Sequence, residues 1–74
     1  MTKLNIVIAK YTPKNITLQS NLIMDLGLYS MEVVSLIHDI EVTFNIQINY
    51  DEYQNIQTVN DLNILVQRKI SERS

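Results

Sequence analysis

The residues that could carry chemistry in this chain are few, and the most prominent of them is a serine. The sequence of 74 residues contains no cysteine and a single histidine, His38, which follows Ser30 by eight positions. If both lie on one helix, they are separated by about 12 Å along the axis and about 80° around it. A serine nucleophile needs its histidine base within about 3 Å. A serine-hydrolase pair therefore cannot form within such a helix, and we expect no catalytic residue.

The composition excludes several other kinds of site. Thiolate sites need cysteine and a histidine cluster needs several histidines, so we expect no metal site. A glycine-rich phosphate loop is excluded because Gly27 is the only glycine. The longest apolar run is far shorter than the roughly 20 residues of a membrane span. The start of the chain lacks the apolar stretch of a secretory signal, and we therefore expect a cytoplasmic protein.

Charge is distributed unevenly along the sequence. All six basic residues lie near the two ends, and residues 15 to 67 contain none. The seven acids of that middle segment are Asp25, Glu32, Asp39, Glu41, Asp51, Glu52 and Asp61. A partner that meets the middle of the chain therefore meets a negative potential. Nucleic acid requires a basic stripe, so we expect no nucleic-acid partner.

Residues 30 to 44 form the clearest predicted helix. Ser30 is a good N-cap, and Glu32 lies in the first turn, where the helix dipole favours an acid. At 100° per residue, one face carries the predicted core positions Val33, Leu36, Ile37, Ile40 and Phe44. The opposite face carries a second strip, the outward strip, formed by Met31, Val34, His38 and Val42, with Glu32, Asp39 and Glu41 along its borders. Exposed apolar strips with polar rims tend to bind other proteins, so we predict a partner-binding surface here.

A second helix is predicted near the end of the chain. It covers about residues 58 to 71, because Thr58 and Asp61 form a capping pattern and apolar residues follow at helical spacing. Residues 45 to 57 are typical of a connector with one short helical turn.

The first part of the chain is less clear. Residues 3 to 12 fit both a helical stripe and a β-type alternation, and Pro13 ends whichever element forms. Residues 14 to 29 have no clean period but are too apolar for a solvated linker, which predicts a long loop packed on the domain. Gly27 adopts positive φ freely and marks the sharpest turn of that loop.

The segment around the serine resembles the attachment motif of the acyl carrier protein family, Asp-Leu-Gly-x-Asp-Ser-Leu. Here that segment is Asp25-Leu26-Gly27-Leu28-Tyr29-Ser30-Met31. Three later segments resemble family segments in the same order: Glu32-Val33-Val34 with Leu36-Ile37, then Phe44-Asn45-Ile46-Gln47-Ile48, then Ile56-Gln57-Thr58-Val59-Asn60-Asp61-Leu62. Together the resemblance covers about residues 15 to 70.

The resemblance implies an all-α fold: a four-helix bundle of the acyl carrier type with a short third helix and a long first loop. Residues 1 to 74 would form one carrier domain, with residues 3 to 12 helical. Ser30 would receive 4′-phosphopantetheine from coenzyme A, through a phosphodiester made by a separate Mg²⁺-dependent phosphopantetheinyl transferase. The arm's thiol would carry acyl groups as thioesters for acyl-transferring and chain-elongating enzymes. The resemblance thus implies a monomeric, non-catalytic phosphoprotein of fatty-acid, polyketide or related biosynthesis.

The sequence departs from the family pattern at several positions. Tyr29 replaces the usual aspartate, and Met31 replaces the usual leucine. Ser35 and Val42 lie where acids are common in the family. The stretch before the motif is several residues short, which predicts a stubby first helix. These departures favour a carrier in a specialised pathway over the housekeeping carrier of fatty-acid synthesis.

Three alternatives follow from the same residues. A peptidyl carrier is disfavoured because the motif contains Asp25-Leu26-Gly27 rather than Gly-Gly-x-Ser, and because the chain begins with Met. The second alternative is a protein-interaction module that keeps the carrier fold but is never modified. Tyr29, in place of the usual aspartate, is the residue that would distinguish it from a modified carrier. A small helical nucleic-acid binder is disfavoured because the helix that would enter a groove is acidic.

Overall fold

Four helices form the framework of the molecule. A computed structural model describes residues 3–73, apart from the side chains of Ser30 and Arg73. The helices are α1 (Lys3–Ile8), α2 (Ser30–Phe44), α3 (Tyr50–Tyr53) and α4 (Val59–Arg73). Among the described residues, the isolated β-bridge is an antiparallel one between Asn21 and Thr58. The predicted all-α fold with a short third helix is confirmed.

The first helix is shorter than the range predicted for it. Burial at i, i+3 and i+4 favours the helix over the alternating strand, and the buried residues are Leu4, Val7 and Ile8. Beyond Ile8 the chain continues as turns. The backbone N–H of Lys10 donates to the carbonyl oxygen of Val7 at 3.2 Å, and that of Tyr11 donates to Ile8 at 2.9 Å. The α-helix therefore ends well before Pro13.

The long loop is held against the start of α4 by main-chain hydrogen bonds. The N–H of Leu22 donates to the carbonyl oxygen of Gln57 at 2.8 Å, and the N–H of Val59 donates to that of Ser20 at 3.0 Å. The loop forms neither a helix nor a strand, so these bonds supply hydrogen-bond partners for its backbone N–H and C=O groups. The prediction that residues 14 to 29 pack on the domain is confirmed.

The loop also contributes side chains to the core. Its buried leucines are Leu22, Leu26 and Leu28. Gly27 lies between the last two with φ at +70°, in the left-handed region. Nothing lies within 4 Å of the place where a Cβ would stand, so backbone conformation alone makes glycine the favoured residue here. This turn lets the residues on both sides of Gly27 enter the core.

One hydrophobic core unites the helices and the loop. Leu36, Ile37 and Ile40 of α2 are buried, and Val33 and Phe44 pack against them with partial exposure. The other buried apolar residues come from α1, the long loop, the connector between α2 and α3, and α4: Leu4, Val7, Ile8, Leu22, Leu26, Leu28, Ile48, Val59, Leu62, Leu65 and Val66. The predicted core face of α2 is confirmed.

The start of α4 carries the reciprocal hydrogen bonds that the sequence pattern predicts. Thr58 Oγ1 accepts from the backbone N–H of Asp61 at 3.1 Å, and Asp61 Oδ2 accepts from the N–H of Thr58 at 3.1 Å. The same carboxylate oxygen accepts from the N–H of Gln57 at 3.1 Å. The hydrogen bonds from Gln57 and Thr58 hold the pKa of Asp61 below its ordinary value.

We expect Asp61→Asn to lower the free energy of unfolding at neutral pH by about 0.5–1 kcal/mol, or roughly 2–8 °C in Tm. Because the folded-state pKa of Asp61 is lowered, its contribution is complete above the unfolded pKa and disappears as pH falls through the folded value. Thermal melts of wild type and variant should therefore converge in acid. Asp51→Asn, which removes an exposed acid from α3, is the control and should change Tm by less. A difference that persists well below the folded-state pKa of Asp61 would contradict this assignment.

Candidate functional site

The acyl-carrier-like motif ends where α2 begins, but its serine is not the helix cap. Tyr29 is the N-cap, with extended backbone at φ −98° and ψ 174°, and Ser30 is the first helical residue. Glu32, at the third helical position, accepts a hydrogen bond from the backbone N–H of Tyr29 at 3.3 Å. The prediction that Ser30 is the N-cap is therefore wrong by one position.

The residue before the cap is anchored in the core. Leu28 is fully buried, and its backbone N–H donates to the carbonyl oxygen of Leu22 at 2.9 Å. Tyr29 follows directly and takes the cap position, although tyrosine is a poor capping residue. The hydrogen bond from the Tyr29 backbone N–H to Glu32 closes the first turn from that position.

The beginning of α2 is open to solvent. Tyr29 is 68% exposed and Met31 is 82% exposed, on either side of Ser30, whose own side chain lies outside the described atoms. The first backbone N–H groups of a helix lack intrahelical acceptors and carry the positive end of the helix dipole. A bulky group therefore has room at this position, and a phosphate in that group has favourable electrostatics.

The outward strip of α2 is exposed as predicted. Met31, Val34, His38 and Val42 all lie at the surface. The His38 side chain lies near Glu41, with 4.0 Å between Nδ1 of the imidazole and Oε1 of the carboxylate. The strip therefore offers an apolar surface with one histidine, and its borders carry negative charge.

The acids that border the outward strip also hold the fold together. Glu41 Oε2 accepts from the backbone N–H of Ile48 at 2.8 Å, which ties the end of α2 to the following connector. Asp39 is half-buried and accepts a hydrogen bond from the hydroxyl of Tyr11. Glu32 accepts from the cap residue, as described above. A change of charge at any of the three would therefore alter stability as well as the surface.

The contact between Tyr11 and Asp39 joins the turn after α1 to α2. The hydrogen bond to Asp39 raises the pKa of Tyr11, and burial and the negative charge of the carboxylate raise it further. Ionisation of the phenol would break that bond and bring two negative charges together. The contact is therefore lost only when the phenol ionises, above the ordinary pKa of tyrosine.

A groove of about 620 Å³ lies between the long loop, α2 and α3. Val33 and Val34 contribute to it from α2, and they follow Ser30 by three and four positions. The other apolar side chains that line it include Leu22, Ile23, Ile37 and Ile56. Sequence reasoning missed this groove because its walls come from three separate segments. The only signal in the sequence is that the loop and the connector are unusually apolar.

A larger depression of about 820 Å³ lies near the other end of α2. Val42, Ile46 and Lys69 are among its lining residues, and Lys69 is already paired with Glu52 at 2.7 Å. This depression is shallow, and its α2 residues begin at His38, eight positions after Ser30. The smaller groove is therefore the one that adjoins the candidate site.

Comparison with known proteins agrees with this geometry. The family model for the phosphopantetheine attachment site matches residues 6–63. An acyl carrier protein of Amoebophilus asiaticus is 34% identical over 61 residues, which cover 82% of this chain and 76% of that protein. An acyl carrier protein homolog of Mycoplasmopsis pulmonis is 36% identical over 62 residues, which cover 84% of each chain. A solved structure of a Mycobacterium tuberculosis protein assigned as an acyl carrier protein matches with a TM-score of 0.83 and 34% identity, over 88% of this chain and 90% of that one.

The fold, the exposed helix start and these matches define a carrier domain of the phosphopantetheine type. The chain belongs to the acyl carrier protein family. Its prosthetic group is covalently attached 4′-phosphopantetheine. The open start of α2 fits such a group, because the neighbouring side chains leave room and the helix end favours its phosphate. Across residues 3–73, no helix is long and apolar enough to cross a membrane.

Proposed function

We propose that 4′-phosphopantetheine is attached to Ser30, and that the chain carries acyl groups between enzymes of a fatty-acid, polyketide or related specialised pathway. The observation that supports this is the position of Ser30 as the first residue of α2, three residues after Gly27 of the Asp25-Leu26-Gly27 turn. The residues on both sides, Tyr29 and Met31, are exposed. When bound, the prosthetic group supplies a terminal thiol that holds acyl groups as thioesters.

Attachment is one phosphoryl-group transfer to the Ser30 hydroxyl. The bond between Oγ and phosphorus forms while a pyrophosphate bond of coenzyme A breaks, and adenosine 3′,5′-bisphosphate leaves. The serine proton passes to a base. The single histidine of the chain follows Ser30 by eight positions, so a separate Mg²⁺-dependent phosphopantetheinyl transferase has to supply that base. In this proposal the chain itself is a carrier and not a catalyst, and its helix end favours the phosphate of the product.

We expect Ser30→Ala to gain no mass when it is incubated with a broad-range phosphopantetheinyl transferase and coenzyme A. Alanine is a good helix former, so Tm should change by less than about 2 °C. Ser35→Ala is the matched control, because Ser35 is an exposed serine of the same helix and its variant should be modified like wild type. Intact-mass spectrometry measures all three proteins. Modification of Ser30→Ala would refute the assignment.

Tyr29 is the departure from the family pattern that bears most directly on modification. Its side chain is exposed beside Ser30, and it brings no carboxylate to this position. An aspartate there would offer a negative charge to a basic group of the transferase. A surface charge contact of this kind is worth about 0.5–1 kcal/mol, or roughly a two- to five-fold change in rate.

We expect Tyr29→Asp to be modified about two to five times faster than wild type by a transferase adapted to carriers with aspartate at this position. Aspartate is also a better N-cap than tyrosine, so Tyr29→Asn serves as the control that improves the cap without adding charge. The asparagine variant should gain stability but little rate. Equal modification rates for wild type and both variants would show that Tyr29 has no effect on modification. Modification of the aspartate variant alone, even by transferases of the native host, would favour the unmodified interaction module.

We propose that partner enzymes bind the outward strip of α2, which begins directly after Ser30. The apolar residues Met31, Val34 and Val42 form its contact surface, and His38 lies between them along the helix. The acids Glu32, Asp39 and Glu41 steer a basic partner toward the strip. Border charges mainly affect the association rate, whereas buried apolar contacts mainly affect the dissociation rate.

We expect Val34→Ala to raise the dissociation rate of the transferase complex about three- to ten-fold, because two methyl groups leave the interface. Ile64→Ala is the matched control: Ile64 lies on α4 and is 56% exposed, close to the 52% of Val34. Neither substitution should lower Tm much, since both side chains are largely solvated. Surface plasmon resonance measures the rates. Equal effects of the two substitutions, or no effect of either, would place the interface elsewhere.

We place the acyl chain in the groove between the long loop, α2 and α3. The α2 residues that line it begin one turn after Ser30, so it is within reach of a group attached there. Its lining is mainly apolar, and burial of each methylene group contributes up to about 0.8 kcal/mol. Sheltering the chain in this way would protect the thioester end from water between encounters with enzymes.

A further inference from the structure

Every sulfur atom of the unmodified chain belongs to a methionine. The sequence contains three methionines and no cysteine. Met1 lies outside the described residues, whereas Met24 and Met31 are each 82% exposed, the highest value among the large apolar residues that the structure describes. Access to solvent favours the oxidation of a sulfur. Both side chains are therefore open to a small oxidant such as a peroxide.

The two exposed methionines lie in different surroundings. Met31 directly follows Ser30 and begins the outward strip of α2. Met24 belongs to the long loop, where its backbone N–H donates to Asn21 Oδ1 at 2.9 Å, and it lines the groove. Neither methionine belongs to the hydrophobic core. Oxidation of either side chain should therefore leave the fold intact, and of the two only Met31 alters the outward strip.

The oxidation of a methionine by hydrogen peroxide is a two-electron step. The thioether sulfur attacks one peroxide oxygen, a sulfur–oxygen bond forms and the oxygen–oxygen bond breaks. The proton on the transferred oxygen passes to the departing hydroxide, so the products are methionine sulfoxide and water. Methionine sulfoxide reductases reverse the change, one enzyme for each sulfoxide epimer. In that reversal two thiols become a disulfide, and the oxygen leaves as water.

We propose that Met31 is a site of reversible oxidation, and that its sulfoxide weakens the binding of partner enzymes to the outward strip. This inference rests on the proposed role of that strip in partner binding. The reduced side chain offers a flexible apolar surface directly beside Ser30. The sulfoxide is polar, and its burial in an apolar contact without a hydrogen-bond donor is unfavourable. Leucine, the usual residue in the family motif, does not undergo this reaction.

The experiment treats the unmodified chain with hydrogen peroxide, because the thiol of the prosthetic group would also react. Catalase then removes the peroxide, and peptide mass mapping measures the gain of one oxygen atom at each methionine. Surface plasmon resonance measures binding to a broad-range phosphopantetheinyl transferase. We expect the dissociation rate to rise on the order of ten-fold after treatment. Both sulfoxide reductases, supplied with a thiol reductant, should restore the original rate.

Two matched variants assign the effect to one sulfur. Met24→Leu retains Met31 and should show the full rise on treatment, whereas Met31→Leu retains Met24 and should show none. Leucine and methionine have similar volumes and both positions are exposed, so both variants should fold. Each variant is compared with its own untreated form, because position 31 is itself part of the proposed contact surface. Treatment should change the Tm of each protein by less than about 2 °C.

Four results would overturn the inference. Met31 could stay reduced under treatment that oxidises Met24, or the dissociation rate could stay unchanged after full oxidation of Met31. The rate could rise equally in treated Met31→Leu, which would exclude Met31 as the cause. A large fall in Tm on treatment would show that oxidation acts by unfolding the chain and not through the strip.

The Val34→Ala variant distinguishes failure of this inference from failure of the proposed function. If Val34→Ala raises the dissociation rate and oxidation of Met31 does not, the strip binds partners and only the role of Met31 is refuted. If neither change affects the rate, the interface lies elsewhere, and the inference is refuted with it. An untreated wild-type chain that gains no mass with transferase and coenzyme A refutes the attachment at Ser30 separately.

Discussion

Three leucines of the long loop, Leu22, Leu26 and Leu28, are buried in the core, and the positions of the functional features depend on that burial. A chain of this length buries only about 60% of its unfolded surface, so helices alone leave little core. The loop leucines add to it, and main-chain hydrogen bonds to the start of α4 hold them there. The helix α2 begins two residues after the anchored Leu28. The position of that helix start and the inner side of the groove, to which Leu22 contributes, both depend on this packing.

The acids of the middle segment stabilise the fold as well as making the surface negative. Glu32, Glu52 and Asp61 each occupy the third position of a helix and accept from the backbone N–H of its cap residue. Asp25 accepts from the N–H of Asn21 at 2.7 Å in the loop. With Asp39 and Glu41, six of the seven acids in this segment accept hydrogen bonds within the chain. The negative surface is therefore partly a result of how three helices start.

Those features of the fold that depend on local sequence could be predicted. The boundaries of α2 agree with the predicted range of 30 to 44, because its apolar spacing is strongly periodic. The Thr58–Asp61 capping pair could also be predicted, since both partners lie within four residues. In α1, two periodicities compete, and the packing of Leu4, Val7 and Ile8 into the shared core is consistent with the helical one.

The features that could not be predicted depend on contacts between distant segments. The cap of α2 falls on Tyr29, whose backbone N–H donates to Glu32, and not on Ser30, which the capping preference favours. The groove joins side chains of the loop, of α2 and of the connector, such as Leu22, Ile37 and Tyr53, and no local pattern brings them together. The proposed attachment at Ser30 was suggested only by the motif that surrounds it.

The double use of Glu41 and Asp39 has a consequence for how such a carrier could evolve new partners. A substitution at either position changes the surface and the stability of the fold together. The need to stay above the stability required for folding therefore limits substitution at both positions. Met31, Val34 and Val42 lie on the same surface and are largely solvated, so their replacement leaves the core intact. Under the proposed role of the strip in partner binding, divergence in partner choice should therefore accumulate first at these apolar positions, while the acids beside them change slowly.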